Sequence, residues 1–383
     1  MKKKRLLIDV NSVVPFYASG KISGIGRTTL ELVKALDEIR DELPFEVTLY
    51  SQNMKGIGGR NTQTGFHNKH LYLPHRPKFN HVVKTLGLRE LLSPYDLLHI
   101  PHNYDIVRRP EKCVVTIHDA MFMKMDDARY NYSSLRRNVT ALSIACKHII
   151  TCSEHSKKDL VETIQIPEEK VSVVYWGMKH ECFYVKEDRN LLKDDIKNRL
   201  GVSNPFFIDI SCNPIWRKRT DKLVEGFIRY CEMGGKYDLV LVWGNPDPEI
   251  EKRFGNNIYF KDRIHYLKGI DDNMLSNLYN CCKALFFPSQ YEGFGLPIIE
   301  AMACGTLVVT AKNSSLAEIG LDVPIYLNEE NIVQSIADTM YNIEQNKIDM
   351  QSHIKKGLER AKDFTWSNCA KQTASIYEKL LSE

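Results

Sequence analysis

Short apolar runs alternate with stretches of helical spacing along nearly the whole chain. Segments at Arg5–Val10, Glu46–Tyr50, Leu97–Ile100, Cys113–His118, His148–Cys152 and Val171–Tyr175 have the length and apolar content of buried strands, and Thr28–Ile39 repeats its apolar residues at helical spacing. A second series starts with a strand at Phe206–Ser211 and a helix at Thr220–Cys231. It continues with strands at Asp238–Trp243 and Ile264–Leu267, a helix at Asp272–Tyr279, a strand at Ala284–Phe287, a helix at Pro297–Cys304 and a strand at Leu307–Thr310. Such alternation predicts parallel sheets with helices on both faces, because parallel strands need a crossover and the crossover is usually a helix. The expected class is α/β, with two Rossmann-like, doubly wound domains in tandem. Met178–Gly201 is charged and has no long apolar period, so the interdomain connection is placed there, with domains at 1–185 and 186–365.

The most informative stretch is Pro288–Gly305. It follows a buried strand, and its Gly293-Phe294-Gly295-Leu296-Pro297 turn places a proline where a helix opens and has no use for an N–H. Glycine loop and helix N-terminus together suit a phosphate, since free amides and the helix dipole both favour negative charge. Glu292 could reach a sugar beside the phosphates, and Glu300, one turn into the helix, could accept bonds from vicinal hydroxyls such as those of a ribose. A plain structural turn with two solvated glutamates is the alternative.

These residues resemble the signature of the family 4 retaining nucleotide-sugar glycosyltransferases, also called glycosyl transferase group 1, whose fold is GT-B. Other segments are similar to the family in the same order: Gly24-Ile25-Gly26-Arg27, Ile117-His118-Asp119, Ile150–Leu160, Arg217-Lys218 with Leu223–Phe227, and Phe364-Thr365-Trp366. The resemblance implies two domains facing across a cleft, and a terminal helix at 366–383 that crosses back to the first domain. It also implies a donor diphosphate held by Arg217 and Lys218, and a sugar pocket completed by His118 and Glu292. Gly24, Gly26, Gly293, Phe294, Gly295, Leu296, Pro297 and Glu300 would bind the donor, with Asp119 and Arg27 on the acceptor side. Departures from the family pattern at Thr28 and Arg219 leave donor and acceptor preference open.

The remaining motifs narrow the chemistry. Gly24-Ile25-Gly26 lies after the first strand, but Thr29 takes the place of the third glycine of a dinucleotide fingerprint, which weakens a nicotinamide reading. No Asp-x-Asp pair is present to hold a divalent ion on a diphosphate, so the protein's own cations are expected to do so, with neither metal nor cofactor. His99-Ile100-Pro101-His102 has ligand-like spacing without a further matching ligand.

A net charge of +4, spread along 383 residues, gives no nucleic-acid-binding stripe. No apolar run approaches the ~20 residues of a membrane span, and the ten cysteines are scattered as reduced apolar filling, so a cytoplasmic enzyme is expected. Ser51–Asn80 reads as a loop carrying Lys55, Arg60, Lys69, Arg76 and Lys78. His81–Leu92 reads as an amphipathic helix that faces either the core or an anionic membrane. The expected function is metal-independent, retaining transfer of a hexose from GDP-mannose or a UDP-hexose to a hydroxyl of a saccharide or lipid-linked acceptor, with peripheral membrane contact. A nucleotide-sugar epimerase or hydrolase, and a noncatalytic nucleotide-sugar binding protein, are the alternatives. Oligomeric state is not legible.

Overall fold

The computed structural model describes residues 3–74, 77–125, 131–211, 215–243 and 247–383. Contacts divide it into two compact units, Met1–Gly177 with Trp366–Glu383, and Met178–Thr365. The change of unit falls between Gly177 and Met178 instead of at 185/186, because the segment after Met178 is tied to the second unit. Lys186 N donates to Asn280 Oδ1 at 2.8 Å, and Lys179 Nζ reaches Asp272 Oδ2 at 3.1 Å.

The first unit holds seven parallel strands in the order β3-β2-β1-β4-β5-β6-β7. They are β1 Arg5–Asp9, β2 Glu46–Gln52, β3 His67–Leu71, β4 Leu97–Ile100, β5 Cys113–Thr116, β6 His148–Thr151 and β7 Val171–Val173. The second unit has six, ordered β10-β9-β8-β11-β12-β13: β8 Phe206–Ser211, β9 Asp238–Trp243, β10 Ile264–Leu267, β11 Leu285–Phe287, β12 Val308–Ala311 and β13 Ile325–Leu327. All pairings are parallel; Asp209 of β8, for instance, stands opposite Leu241. In each sheet the order reverses between two neighbours, β1/β4 and β8/β11, and it is beyond the carboxyl ends of such strands that open α/β sheets bind ligands.

Four local expectations are corrected. Gly24 and Gly26 are not in a loop. They form the first turn of the Gly24–Glu38 helix, which Ser23 caps by accepting from Gly26 N at 3.1 Å. Gly26 is needed there because a Cβ would stand 2.6 Å from the Ser12 carbonyl oxygen. The supposed loop Ser51–Asn80 contains β3, a polar edge strand, HNKHL, whose sequence shows no apolar alternation; Arg76 lies outside the described residues. The charged connection contains a helix, Arg189–Leu200, whose start Asp188 caps and which buries only Ile196. His81–Leu92 is split between helices Pro77–Thr85 and Leu88–Leu92, because Gly87 adopts φ +70. Its basic residues turn inward: Arg89, with no exposed surface, pairs with Asp105 at 2.8 Å, and Lys84 reaches the same carboxylate at 2.5 Å.

The Trp366–Ser382 helix buries Cys369, Ala370, Thr373, Tyr377, Leu380 and Leu381, a single face at helical spacing. That face completes the core over the Gly24–Glu38 helix and β1, with Leu6, Ile8, Leu32 and Leu36. Tyr377 also sends its hydroxyl to His99 Nδ1 at 2.7 Å, and His99 Nε2 meets Thr116 Oγ1 at 2.8 Å. Both His99 nitrogens are thus used by protein groups, which removes it as a metal ligand. Tyr377→Phe leaves a buried imidazole nitrogen without its partner and is expected to cost about 1–3 kcal/mol. Tyr377→Ala, which also opens a cavity, is expected to cost about 3–5 kcal/mol. Urea unfolding followed by circular dichroism orders the two variants.

Candidate active site in the second unit

Two loops leaving neighbouring strands build a charged centre at the β8/β11 switch point. After β8 comes a short helix, Ile215–Lys218, that ends in Arg217 and Lys218; Arg219, at φ +52, then turns the chain into the Thr220–Glu232 helix. After β11 comes the loop bearing Glu292. Lys218 Nζ lies 2.6 Å from Glu292 Oε1, and Arg217 Nη1 lies 3.2 Å from Glu292 Oε2 and 2.8 Å from the Tyr291 carbonyl. Lys218 also sits 4.6 Å from the centre of the Phe287 ring, a cation–π contact at the end of β11. Both cations are thus paired with the carboxylate expected to position a sugar.

Glu292 and Lys218 are only 8% and 9% exposed. Burial pushes the Glu292 carboxyl up, but Lys218 and Arg217 outweigh it and hold the group below the ordinary carboxylate range. One carboxylate against two cations leaves one net positive charge, next to the start of the Leu296–Ala303 helix. Gly295 is its N-cap at φ +101, a conformation a side chain resists, and a Cβ there would stand 2.8 Å from Leu316 Cδ2. Leu296 and Pro297 open the first turn, and Glu300 is buried one turn in. Phe294 packs edge-on against Phe364 with ring centres 5.8 Å apart, so what it offers a ligand is backbone. Gly293 is buried in the same turn.

Sequence reasoning missed the residues that pin this loop. Ser315 Oγ lies 2.9 Å from the Glu292 carbonyl and 3.0 Å from that of Phe294, and Glu292 N donates to Ser314 Oγ at 3.1 Å. Gln290 N donates to the Arg217 carbonyl at 2.7 Å, joining the two loops through backbone. A Ser-Ser pair after a strand carries no distinguishing pattern, so only the fold reveals it.

His118, Asp119, Gly24, Gly26 and Arg27 belong to the first unit. His118 N donates to Asn103 Oδ1 at 2.9 Å, and its Nε2 lies 3.0 Å from the Pro101 carbonyl. A carbonyl only accepts, so Nε2 carries the proton and Nδ1, which has no hydrogen-bond partner among the described residues, is left as an acceptor. Burial lowers the His118 pKa to about 4, against the Pro101 bond that favours protonation, so the ring is neutral at ordinary pH. Pro101 and the tilted contact with Trp176, ring centres 5.1 Å apart, set its orientation. Asp119 Oδ1 accepts from Met121 N at 3.0 Å. Arg27 is half-buried on the second turn of its helix.

A potential ligand set for a metal, Asp9, His102 and Asp105, occurs among the described residues of the first unit. Lys84 and Arg89 already pair with Asp105, and Arg89 lies 3.7 Å from Asp9, so that carboxylate charge is met by fixed cations.

The two Rossmann-like domains are those of the GT-B fold. The chain belongs to the glycosyltransferases of group 1 and family 4: the "Glycosyl transferases group 1" model matches residues 203–360 and the "Glycosyltransferase Family 4" model residues 22–181. It is 25% identical to O-antigen chain mannosyltransferase B of Escherichia coli, over 94% of this chain and 97% of that protein. It is 26% identical to an MMP alpha-(1->4)-mannosyltransferase of Mycolicibacterium hassiacum, over 61% of this chain and 54% of that one. Among solved structures, a sucrose-phosphate synthase from Thermosynechococcus elongatus has a TM-score of 0.73 at 18% identity, covering 99% of this chain and 100% of its own. The Anabaena protein HepE, solved with UDP and glucose, has a TM-score of 0.72 at 17% identity, covering 98% and 100%. Among the described residues, no helix is long and apolar enough to cross a membrane.

His99, His118 and His148 carry the expected pH dependence of stability. Folded, they ionise at about 3, about 4 and about 4, all lowered chiefly by burial; unfolded, at about 6.5. Between these values the unfolded chain binds protons that the native chain does not, so stability is whole above the unfolded pKa and falls as pH drops. The loss at pH 5 is about 2 kcal/mol for each of His99 and His118. Urea midpoints at pH 7 and pH 5 measure it, and His118→Asn should lose its share of the drop.

Proposed function

We propose that the protein is a retaining, metal-independent hexosyltransferase, with GDP-mannose the favoured donor and a saccharide hydroxyl, free or lipid-linked, the acceptor. The observation that carries this reading is the buried Lys218–Glu292–Arg217 group at the β8/β11 switch point. Its net positive charge and the adjacent helix start suit a diphosphate, and its cations are held in place before any ligand arrives. The mannosyltransferase relatives favour mannose; HepE, with its UDP, keeps UDP-hexoses as the second donor class.

In the proposed reaction the bond between sugar C1 and the diphosphate oxygen breaks, and the acceptor oxygen bonds to C1 on the same face. The acceptor proton passes to the departing phosphate oxygen. Lys218 and Arg217 meet the charge that grows on that oxygen, which stabilises the transition state more than the ground state. As the diphosphate takes over the two cations, Glu292 is released to accept from sugar hydroxyls. Glu300 accepts from the ribose, and the amides of Gly293, Gly295 and Leu296 face the phosphates. His118, neutral with a free Nδ1 lone pair, accepts from a hydroxyl and takes no part in proton transfer near neutral pH. Asp119 and Arg27 stand on the acceptor side.

The chain is proposed to work in the cytoplasm. Leu86 and Leu91, 61% and 74% exposed, give the lipid of a lipid-linked acceptor a surface to meet.

Lys218→Ala is expected to lower turnover by about 10²–10³, while costing about 1–3 kcal/mol of stability because Glu292 keeps Arg217. Wild-type transfer should survive EDTA. Strict metal dependence, or full activity in the variant, contradicts the charge roles. A thermal-shift screen is expected to show a larger rise with GDP than with UDP, and the reverse order removes the mannose assignment.

A further inference from the structure

A second site lies at the opposite end of the six-stranded sheet. There a cavity of about 420 Å³ opens where β8, β11 and β12 begin, bordered by Pro205, Lys283 and Thr306, with the Arg189–Leu200 helix along one side. This volume falls in the range of small-molecule pockets. The Lys218–Glu292–Arg217 group follows the other ends of β8 and β11, so the strands separate the two places.

Arg189, Lys193 and Lys197 line the cavity at intervals of four residues, which puts them on one face of the helix. Like charges one turn apart destabilise a helix. A fourth basic residue, Arg199, is paired with Asp195 at 3.6 Å, whereas these three have no ion-pair partner among the described residues. Asp194 is the one carboxylate among the described lining residues. Apolar side chains that keep exposed surface also line it: Pro205, Met350 and Ile354. Two helices, Asp272–Cys281 and Leu296–Ala303, end at this cavity, and their C-terminal dipoles disfavour an anion beside those ends. The cavity therefore offers the cations of the Arg189–Leu200 helix together with an apolar surface on Met350 and Ile354.

We propose that this cavity binds a small, soluble organic phosphate, its dianion gripped by Arg189, Lys193 and Lys197 and its apolar part seated on Met350 and Ile354. Three cations on one helix face match a dianion through charge-assisted hydrogen bonds, and the two apolar side chains supply area that inorganic phosphate alone would not use. The site is independent of the donor assignment, because no lining residue belongs to the Lys218–Glu292–Arg217 group.

Calorimetric titration of phenyl phosphate into the full chain tests the proposal. Saturable binding is expected, weakened by about tenfold or more in Lys193→Glu/Lys197→Glu and retained in Lys218→Ala. Both lysines are exposed, and Lys193→Gln/Lys197→Gln, which only removes the charges, should show the same loss. Half-buried Cys281 lines the cavity and supplies a second readout: saturating phenyl phosphate should slow its alkylation by iodoacetamide severalfold in the wild type and not in the double variants. Absence of saturable binding, unchanged affinity in both double variants, loss of binding in Lys218→Ala, or binding to phosphatidic acid vesicles without binding to phenyl phosphate would each overturn it.

Discussion

The ion pairing of Glu292 with Lys218 and Arg217 is the constraint on which the second unit's chemistry depends. Two adjacent cations this poorly exposed would repel each other and lose hydration with little return. A single carboxylate between them makes the arrangement tolerable. It also joins loops that leave different strands, so the positions of the cations are set by the sheet and do not depend on the rotamer freedom of long side chains. Ser314, Ser315 and the Gln290–Arg217 backbone bond extend the same fixation to the main chain.

The first unit handles charge differently. Near its own switch point, fully buried Arg89 and its neighbour Lys84 face Asp105, Asp9 and Glu90, two cations against three carboxylates. The histidines nearby are neutral: burial keeps His99 and His118 far below the pH at which a free imidazole ionises. The second unit thus holds two cations around one carboxylate, and the first a neutral imidazole with an open acceptor nitrogen.

Much of the fold could be read from residue patterns, because buried parallel strands and amphipathic helices repeat their apolar residues with characteristic periods. Among the described residues thirteen strands form two sheets, and the strands and helices expected around the candidate site lie within one or two residues of expectation. Failures came where a local signal had two meanings. Gly24 and Gly26 look like a loop, yet Ser23 caps a helix that starts through them. The HNKHL strand escaped notice because a polar edge strand has no buried face to advertise. The 81–92 segment reads as one amphipathic helix facing the core or an anionic membrane, whereas Gly87 divides it and Lys84 and Arg89 pair with Asp105.

By itself the sequence determined two tandem α/β units and the helix that opens at Leu296-Pro297 after Gly295, since each follows from spacing within a few residues. Tertiary structure alone decided that Lys218 and Glu292, 74 positions apart, neutralise one another, that the His118 ring is oriented with Nδ1 as a hydrogen-bond acceptor, and that Arg189, Lys193 and Lys197 share a cavity. Those outcomes depend on β8 lying beside β11 and on burial. Both are properties of the assembled sheets, and no local period encodes them.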